Sequence, residues 1–185
     1  MKSTSITQAA KALGVAPHKL IHLCERKVVT PEVRDAKGRG TSRQFSRRNL
    51  FELAVAVEMR RLELPVSFVR AVLRVLRTFE EELHSRQRDF ALPDVLLRKG
   101  APEVRLLILD GERLYFRARQ MSSAEVVLGG VNIRHPQARG RARKHETVGR
   151  LLPAQAREAL SAAHTRTEVD LSRIARDLQA RLDEP

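Results

Sequence analysis

The sequence predicts a mainly α-helical chain with some β structure, made of two parts. Three observations lead to this prediction. Apolar residues recur at helical spacing through much of residues 4–86, two strand-like runs flank Asp110–Gly111, and a helical pattern returns near the C-terminus. A chain of 185 residues is long enough for one ordinary domain, or for a small domain with an accessory one.

Two short helices are predicted near the N-terminus. In the stretch TSITQAAKALG, Thr7 is the predicted N-cap and Gly14 the predicted end. Pro17 suits the first turn of the next helix, HKLIHLCERKVV. The apolar face of this second helix is formed by Leu20, Leu23, Cys24 and Val28. Two short helices joined through a glycine-led turn are typical of a helix-turn-helix.

The chain then changes character before it becomes helical again. Residues 30–45 have no helical period and are rich in glycine and basic side chains, which predicts a β-hairpin or a loop. A helix capped by Ser46 follows and ends before Pro65, and a longer helix capped by Ser67 comes next. This order of elements predicts a winged helix-turn-helix over residues 1–90.

The remaining sequence predicts a small α+β domain over residues 103–185, after a linker at residues 91–102. Asp110–Gly111 between two β-rich runs is a strong hairpin signal, and AEVVLGGVNI supplies one or two further short strands. Residues 151–182 are predicted to be helical, with a break near His164–Thr167.

The charge of the chain is strongly basic and unevenly distributed. There are 35 Lys and Arg against 22 Asp and Glu, a formal net charge of +13. Residues 1–62 carry 13 basic and 5 acidic side chains, and residues 129–150 carry 6 and 1. Two basic zones in a nearly neutral scaffold predict localised surfaces that attract a polyanion, of which nucleic acid is the commonest case.

Several spaced stretches resemble the MerR family of bacterial transcription regulators. SITQAAKALGVAPHKLIHLCERKVVTP is similar to the family's opening helix, turn and second helix, and GTSRQFSRRNL is similar to the segment that follows. The resemblance covers roughly residues 5–80. It implies a winged helix-turn-helix that binds double-stranded DNA and bends or untwists it at promoters. The stretch Ile21-His22-Leu23-Cys24 departs from the family, which usually has an arginine and an aromatic residue there.

A winged helix-turn-helix places its second helix in the major groove. We therefore expect His18, Lys19 and His22 to face base edges. The sugar-phosphate backbone would be contacted by the wing and the start of the next helix, through Arg34, Lys37, Arg39, Arg43, Arg47 and Arg48. The competing interpretation of these side chains is a solvated basic surface.

The loop RHPQARGRARKH is a second basic element. Its cationic side chains are Arg134, Arg139, Arg141, Arg143 and Lys144. A basic arm of this kind lies along phosphates or enters the minor groove of DNA. An ordinary surface loop explains the same composition equally well, so both interpretations stay open.

The sequence predicts neither catalysis nor a metal or cofactor. His18 and His22 are spaced for two metal ligands on one helix face, but no fourth ligand is nearby and Cys24 falls on the apolar face. We therefore expect Cys24 to be a buried core thiol. No base for a nucleophilic cysteine, no phosphate-binding glycine loop and no dinucleotide motif is recognisable.

The expected location is the cytoplasm, in association with the nucleoid and without membrane contact. One cysteine cannot form an internal disulfide. No apolar stretch approaches the ~20 residues of a membrane span, and the N-terminus has no apolar signal-peptide core.

Two questions stay open from the sequence. The function is either sequence-specific transcription regulation, or that of an excisionase-like or architectural DNA-binding factor or an antitoxin whose C-terminal domain binds a protein partner. A surface for an acidic protein is a further alternative. The C-terminal apolar stripe either forms a homodimer interface or packs on the hairpin, and it consists of Leu171, Ile174, Leu178 and Leu182.

Overall fold

A computed structural model of the chain describes residues 3–35, 42–86, 91–101, 103–111, 113–119, 126–132 and 158–184. These residues form helices together with a two-stranded and a four-stranded antiparallel sheet, so the predicted mixture of α and β structure is confirmed. The chain divides into two compact units. Residues 1–97 and 173–185 belong to the first unit, and residues 98–172 to the second. The predicted domain boundaries and the linker at residues 91–102 stay predictions.

The first unit opens with strand β1 (Thr4–Ser5) and helices α1 (Ile6–Leu13) and α2 (Pro17–Glu25). The N-cap of α1 is Ser5, whose side chain accepts a hydrogen bond from the Gln8 amide while the Gln8 side chain accepts one from the Ser5 amide. The prediction of Thr7 as N-cap was wrong, because this reciprocal pair starts the helix two residues earlier. Gly14 ends α1 with φ of 62°, and Pro17 is the first residue of α2, as predicted.

Strand β2 (Gln44–Phe45) pairs with β1, and three helices follow: α3 (Arg47–Arg61), α4 (Val66–Arg86) and α5 (Leu92–Leu96). Ser46 caps α3 as predicted. The prediction of Ser67 as the cap of α4 was wrong. Helix α4 begins directly after Pro65, whose carbonyl already accepts the hydrogen bond of the Val69 amide at 3.0 Å.

Helix α3 is the centre of the first unit. Every side chain from Asn49 to Val57 is buried, which is typical of a helix that is surrounded by other elements. Outside α3, the first-unit side chains with no exposed surface come from the other helices, the segment after α2 and β2: Ala9, Leu20, Val29, Phe45, Val69, Val72 and Leu73. A central helix of this kind fixes the positions of the shorter helices packed on it.

The second unit contains an antiparallel sheet of β3 (Glu103–Leu109), β4 (Arg113–Arg119), β5 (Val126–Asn132) and β6 (Arg166–Asp170) in the order β5-β4-β3-β6. The predicted Asp110–Gly111 hairpin joins β3 to β4, and both turn residues have positive φ. Helix α6 (Leu171–Asp183) follows β6 directly, and the boundary between the two units falls inside it.

The helical prediction was wrong for residues 168–170, which belong to the edge strand β6. Val169 lies opposite Leu106 of β3 and is buried there. The Asp110 carboxylate accepts hydrogen bonds from the amides of His164 and Thr165 at 2.9 and 3.0 Å, which holds this strand against the hairpin turn. The predicted break near His164–Thr167 coincides with the start of β6 at Arg166.

Among the residues that the structure describes, no helix combines the length and the apolar character that crossing a membrane requires.

Candidate nucleic-acid interface

Helix α2 has a core face and a solvent face that carry different residues. Leu20, Leu23 and Cys24 are buried. His18, Lys19 and His22 are exposed, and they occupy the first two turns of the helix. The structure therefore brings the three predicted base-contacting residues together on one solvent-facing surface, which we call the α2 surface.

The turn before α2 is rigid. Gly14 adopts the left-handed conformation, and the amides of Gly14 and Val15 donate to the carbonyls of Lys11 and Ala10, both at 3.1 Å. Pro17 then starts α2 with a fixed φ and with no amide hydrogen that would need a partner. The α2 surface is thus held in place from its N-terminal side.

Arg77 of α4 fixes the chain at the other end of α2. Its guanidinium makes two hydrogen bonds to the Glu52 carboxylate, at 2.5 and 2.8 Å, and donates a third to the Val28 carbonyl at 3.3 Å. The Glu52 side chain is only 4% exposed. The hydrogen bonds to Glu52 raise the pKa of Arg77, so this side chain stays charged throughout the ordinary pH range.

Asn49 connects the chain after α2 to the start of α3. Its side-chain oxygen accepts from the Glu32 amide at 2.7 Å, and its amide group donates to the Thr30 carbonyl at 3.2 Å. Ser46 donates from its hydroxyl to the Glu32 carboxylate at 2.5 Å. Sequence reasoning missed Asn49, Glu52 and Arg77 as positioning residues, although a polar residue three positions after the Ser46 cap was a readable signal.

The described part of residues 30–45 forms an antiparallel bridge. The amides of Arg34 and Gln44 donate to each other's carbonyls, at 3.3 and 2.9 Å. Arg34 is exposed and contacts Ser42, whereas Arg43 is paired with Asp35 at 3.0 Å and its side chain is only 18% exposed. Two further predicted contacts, Lys37 and Arg39, lie outside the described residues.

Arg47 and Arg48 are engaged with acidic and amide groups of the first unit. Arg47 forms an ion pair with Asp94 at 2.9 Å and donates to the Gln179 side chain. The Arg48 Nε lies 2.9 Å from a Glu80 oxygen without hydrogen-bond alignment and 3.8 Å from a Glu52 oxygen, and its Nη1 lies 3.7 Å from a Glu32 oxygen. Their charges are therefore compensated by groups of the first unit.

Glu80, the carboxylate nearest to Arg48, is buried in the first unit. Its carboxylate accepts a hydrogen bond from the Leu92 amide at 2.9 Å, which ties α5 to α4. Burial raises the pKa of Glu80, while the Leu92 amide and Arg48 act against that rise. Arg48 thus serves as the counter-charge of a buried carboxylate.

Cys24 behaves as a core residue, as predicted. Burial raises the pKa of its thiol to about 11, so the thiol is protonated at neutral pH. Across the described ranges, no three His, Cys, Asp or Glu side chains are grouped as a metal site would require. The second basic element, from Arg134 to Lys144, lies outside the described residues.

Comparison with known proteins adds no family assignment. Neither the models of protein families nor the curated proteins contain a match to this chain. The resemblance to MerR regulators therefore stays a prediction, and function has to be inferred from the residues and contacts described above.

Proposed function

We propose that the chain is a sequence-specific, DNA-binding transcription regulator of MerR-like type. In this proposal the first unit is a winged helix-turn-helix, with α2 in the major groove of double-stranded DNA and the segment around the Arg34–Gln44 bridge as the wing. The observation that carries the proposal is the α2 surface, where His18, Lys19 and His22 face solvent opposite the core face of the helix.

The dimensions and chemistry of α2 suit this role. The major groove is about 12 Å wide and admits one α-helix, whose N-terminal residues reach the base edges. Lys19 can donate hydrogen bonds to the O6 and N7 acceptors of guanine, and His18 and His22 can donate to base or phosphate oxygens. Because α2 is fixed at both ends, its donors would meet the DNA without a large ordering cost.

The arginines that are predicted to contact DNA phosphates are not equivalent in this proposal. Arg34 is exposed, and its guanidinium hydrogen-bonds among described residues to the neutral Ser42, so its charge is available to a phosphate. Arg43, Arg47 and Arg48 each lie within 4 Å of a carboxylate and would have to exchange that partner for a DNA phosphate. Among the residues that the structure describes, we therefore assign the main phosphate contact to Arg34 and smaller contributions to Arg43, Arg47 and Arg48.

We further propose that the chain acts by binding rather than by catalysis. Its single cysteine is buried and protonated at neutral pH, which removes the strongest candidate nucleophile.

The test is selection from genomic DNA. Purified protein is incubated with sheared genomic DNA at near-physiological salt, and the retained fragments are sequenced. We expect a few enriched sites near promoters with a shared motif, and an inverted repeat in that motif would indicate a homodimer. The Lys19→Ala, His22→Ala double variant should lose the enrichment, whereas Arg176→Ala, which removes an exposed arginine of α6, should retain it.

Uniform, salt-sensitive recovery of all fragments would contradict the proposal, because phosphate attraction without base reading has that signature.

A further inference from the structure

The first unit contains an open cleft of about 1190 Å³, and the main proposed DNA contacts, His18, Lys19, His22 and Arg34, are not among its lining residues. Residues of α1, the start of α3, α5 and the last turns of α6 line it. Part of the lining is apolar and consists of Ala12, Leu50, Ala91, Pro93 and Leu182. The cleft therefore offers room and an apolar wall, the usual ingredients of a small-molecule site.

The cleft is also basic. Five cationic and three acidic side chains line it. The acidic ones are in part already engaged, since Asp94 pairs with Arg47 and Glu32 accepts from Ser46. The third, Glu184, is exposed at the end of α6.

Two cations in the cleft have no carboxylate partner among the described residues. Lys11 is exposed in the last turn of α1 and has no ion pair with a described residue. Arg181 donates from Nη1 to the neutral carbonyl of Ala12 at 3.3 Å, which places its guanidinium beside the residue that follows Lys11. An anionic group between these two side chains would gain charge-assisted hydrogen bonds from both.

We propose that this cleft binds an organic anion: a carboxylate, sulfonate or phosphate carried on an apolar body. The anionic head lies between Lys11 and Arg181, and the body contacts the apolar wall around Leu50, Pro93 and Leu182. This inference goes beyond the proposed function, because it requires no DNA.

The test uses anilinonaphthalene sulfonate, an anion with an aromatic body whose fluorescence rises in apolar surroundings. Phenylnaphthylamine, which lacks the sulfonate, is the matched neutral probe. We expect saturable binding of the anionic probe at one site of the full chain, about a hundredfold tighter than the neutral probe, since each of two hydrogen bonds to a charged group contributes about tenfold. Lys11→Gln and Arg181→Gln should each weaken the anionic probe by about tenfold and leave the neutral probe unchanged.

Two controls separate loss of the site from loss of the fold. Arg181→Lys keeps the charge and should keep most of the affinity, and Arg176→Gln removes an exposed arginine of α6 outside the cleft and should bind like the parent. Equal affinities for the anionic and neutral probes, or anionic binding that survives both glutamine variants, would overturn the proposal. Because the titration contains no DNA, its outcome is independent of whether the proposed DNA binding holds.

Discussion

The α2 surface and the start of α3 both carry basic side chains, but these side chains have different partners. His18, Lys19 and His22 face solvent, whereas Arg47 and Arg48 face carboxylates of their own unit. We infer from this difference that a basic residue indicates a polyanionic partner only when the fold leaves its charge uncompensated.

The largest expected effect is on stability, at the ion pair behind the α2 surface. Arg77→Ala removes two hydrogen bonds from the buried Glu52 carboxylate and leaves it the longer one from Asn49 at 3.5 Å, and should lower the free energy of unfolding by about 3 kcal/mol. Urea denaturation measures this. Arg61→Ala, which breaks the exposed pair with Glu58, is the matched control and should change stability by less than about 1 kcal/mol. Equal effects of the two variants would show that the Arg77 contact does not support the fold.

The second effect is on sequence discrimination. The Lys19→Ala, His22→Ala double variant should lose about 1–3 kcal/mol of discrimination for each base contact removed, while keeping its stability because both side chains are exposed. Competition binding with the selected site and a shuffled one measures the change. Unchanged discrimination in a folded variant would remove these residues from the interface.

The third effect compares the two arginine environments directly. Arg34→Gln should reduce the slope of log affinity against log salt by about one unit, as expected for one lost phosphate contact. Arg48→Gln should change that slope much less and should instead lower stability by about 1–2 kcal/mol, because Glu80 loses its counter-charge. The comparison fails if Arg48→Gln flattens the salt dependence as much as Arg34→Gln does.

The smallest effect is a pH dependence in the second unit. Hydrogen bonds from the Thr165 amide and from Arg113 hold the pKa of Asp110 below its ordinary value of 3.8. The stabilisation is therefore fully present above this ordinary value and is lost as the pH falls through the lower pKa of the folded state. Asp110→Asn should flatten the acid side of the stability curve in this range, measured by urea unfolding at successive pH values. An identical acid limb in both proteins would contradict this role.

The sequence predicted those elements whose signals are local. Gly14, Pro17, Ser46 and the Asp110–Gly111 turn each act through their own backbone geometry or an adjacent hydrogen bond, and the structure has each of them as predicted. It missed β6, since a five-residue edge strand between helical patterns is determined by its distant partner β3. Local patterning contains no information about that pairing.

In the candidate site, too, local patterns predicted some features and missed those that depend on distant residues. The exposed residues of α2 followed from helical periodicity, because Leu20, Leu23 and Cys24 identify the opposite face. The pairing of Arg48 with Glu80 joins residues 32 positions apart and could not be read from either segment. The sequence analysis therefore predicted that Arg48 contacts the DNA backbone, although a buried carboxylate lies beside it.

The most direct test of the proposed reading of DNA by α2 is the ratio of affinities for the selected site and for its shuffled counterpart, measured as salt is raised to physiological levels. If the α2 surface reads bases, the ratio should reach about a thousandfold or more and should persist while both affinities fall. If both sequences bind equally well at every salt concentration, the charge of this protein attracts phosphate without reading sequence, and the proposed function is wrong.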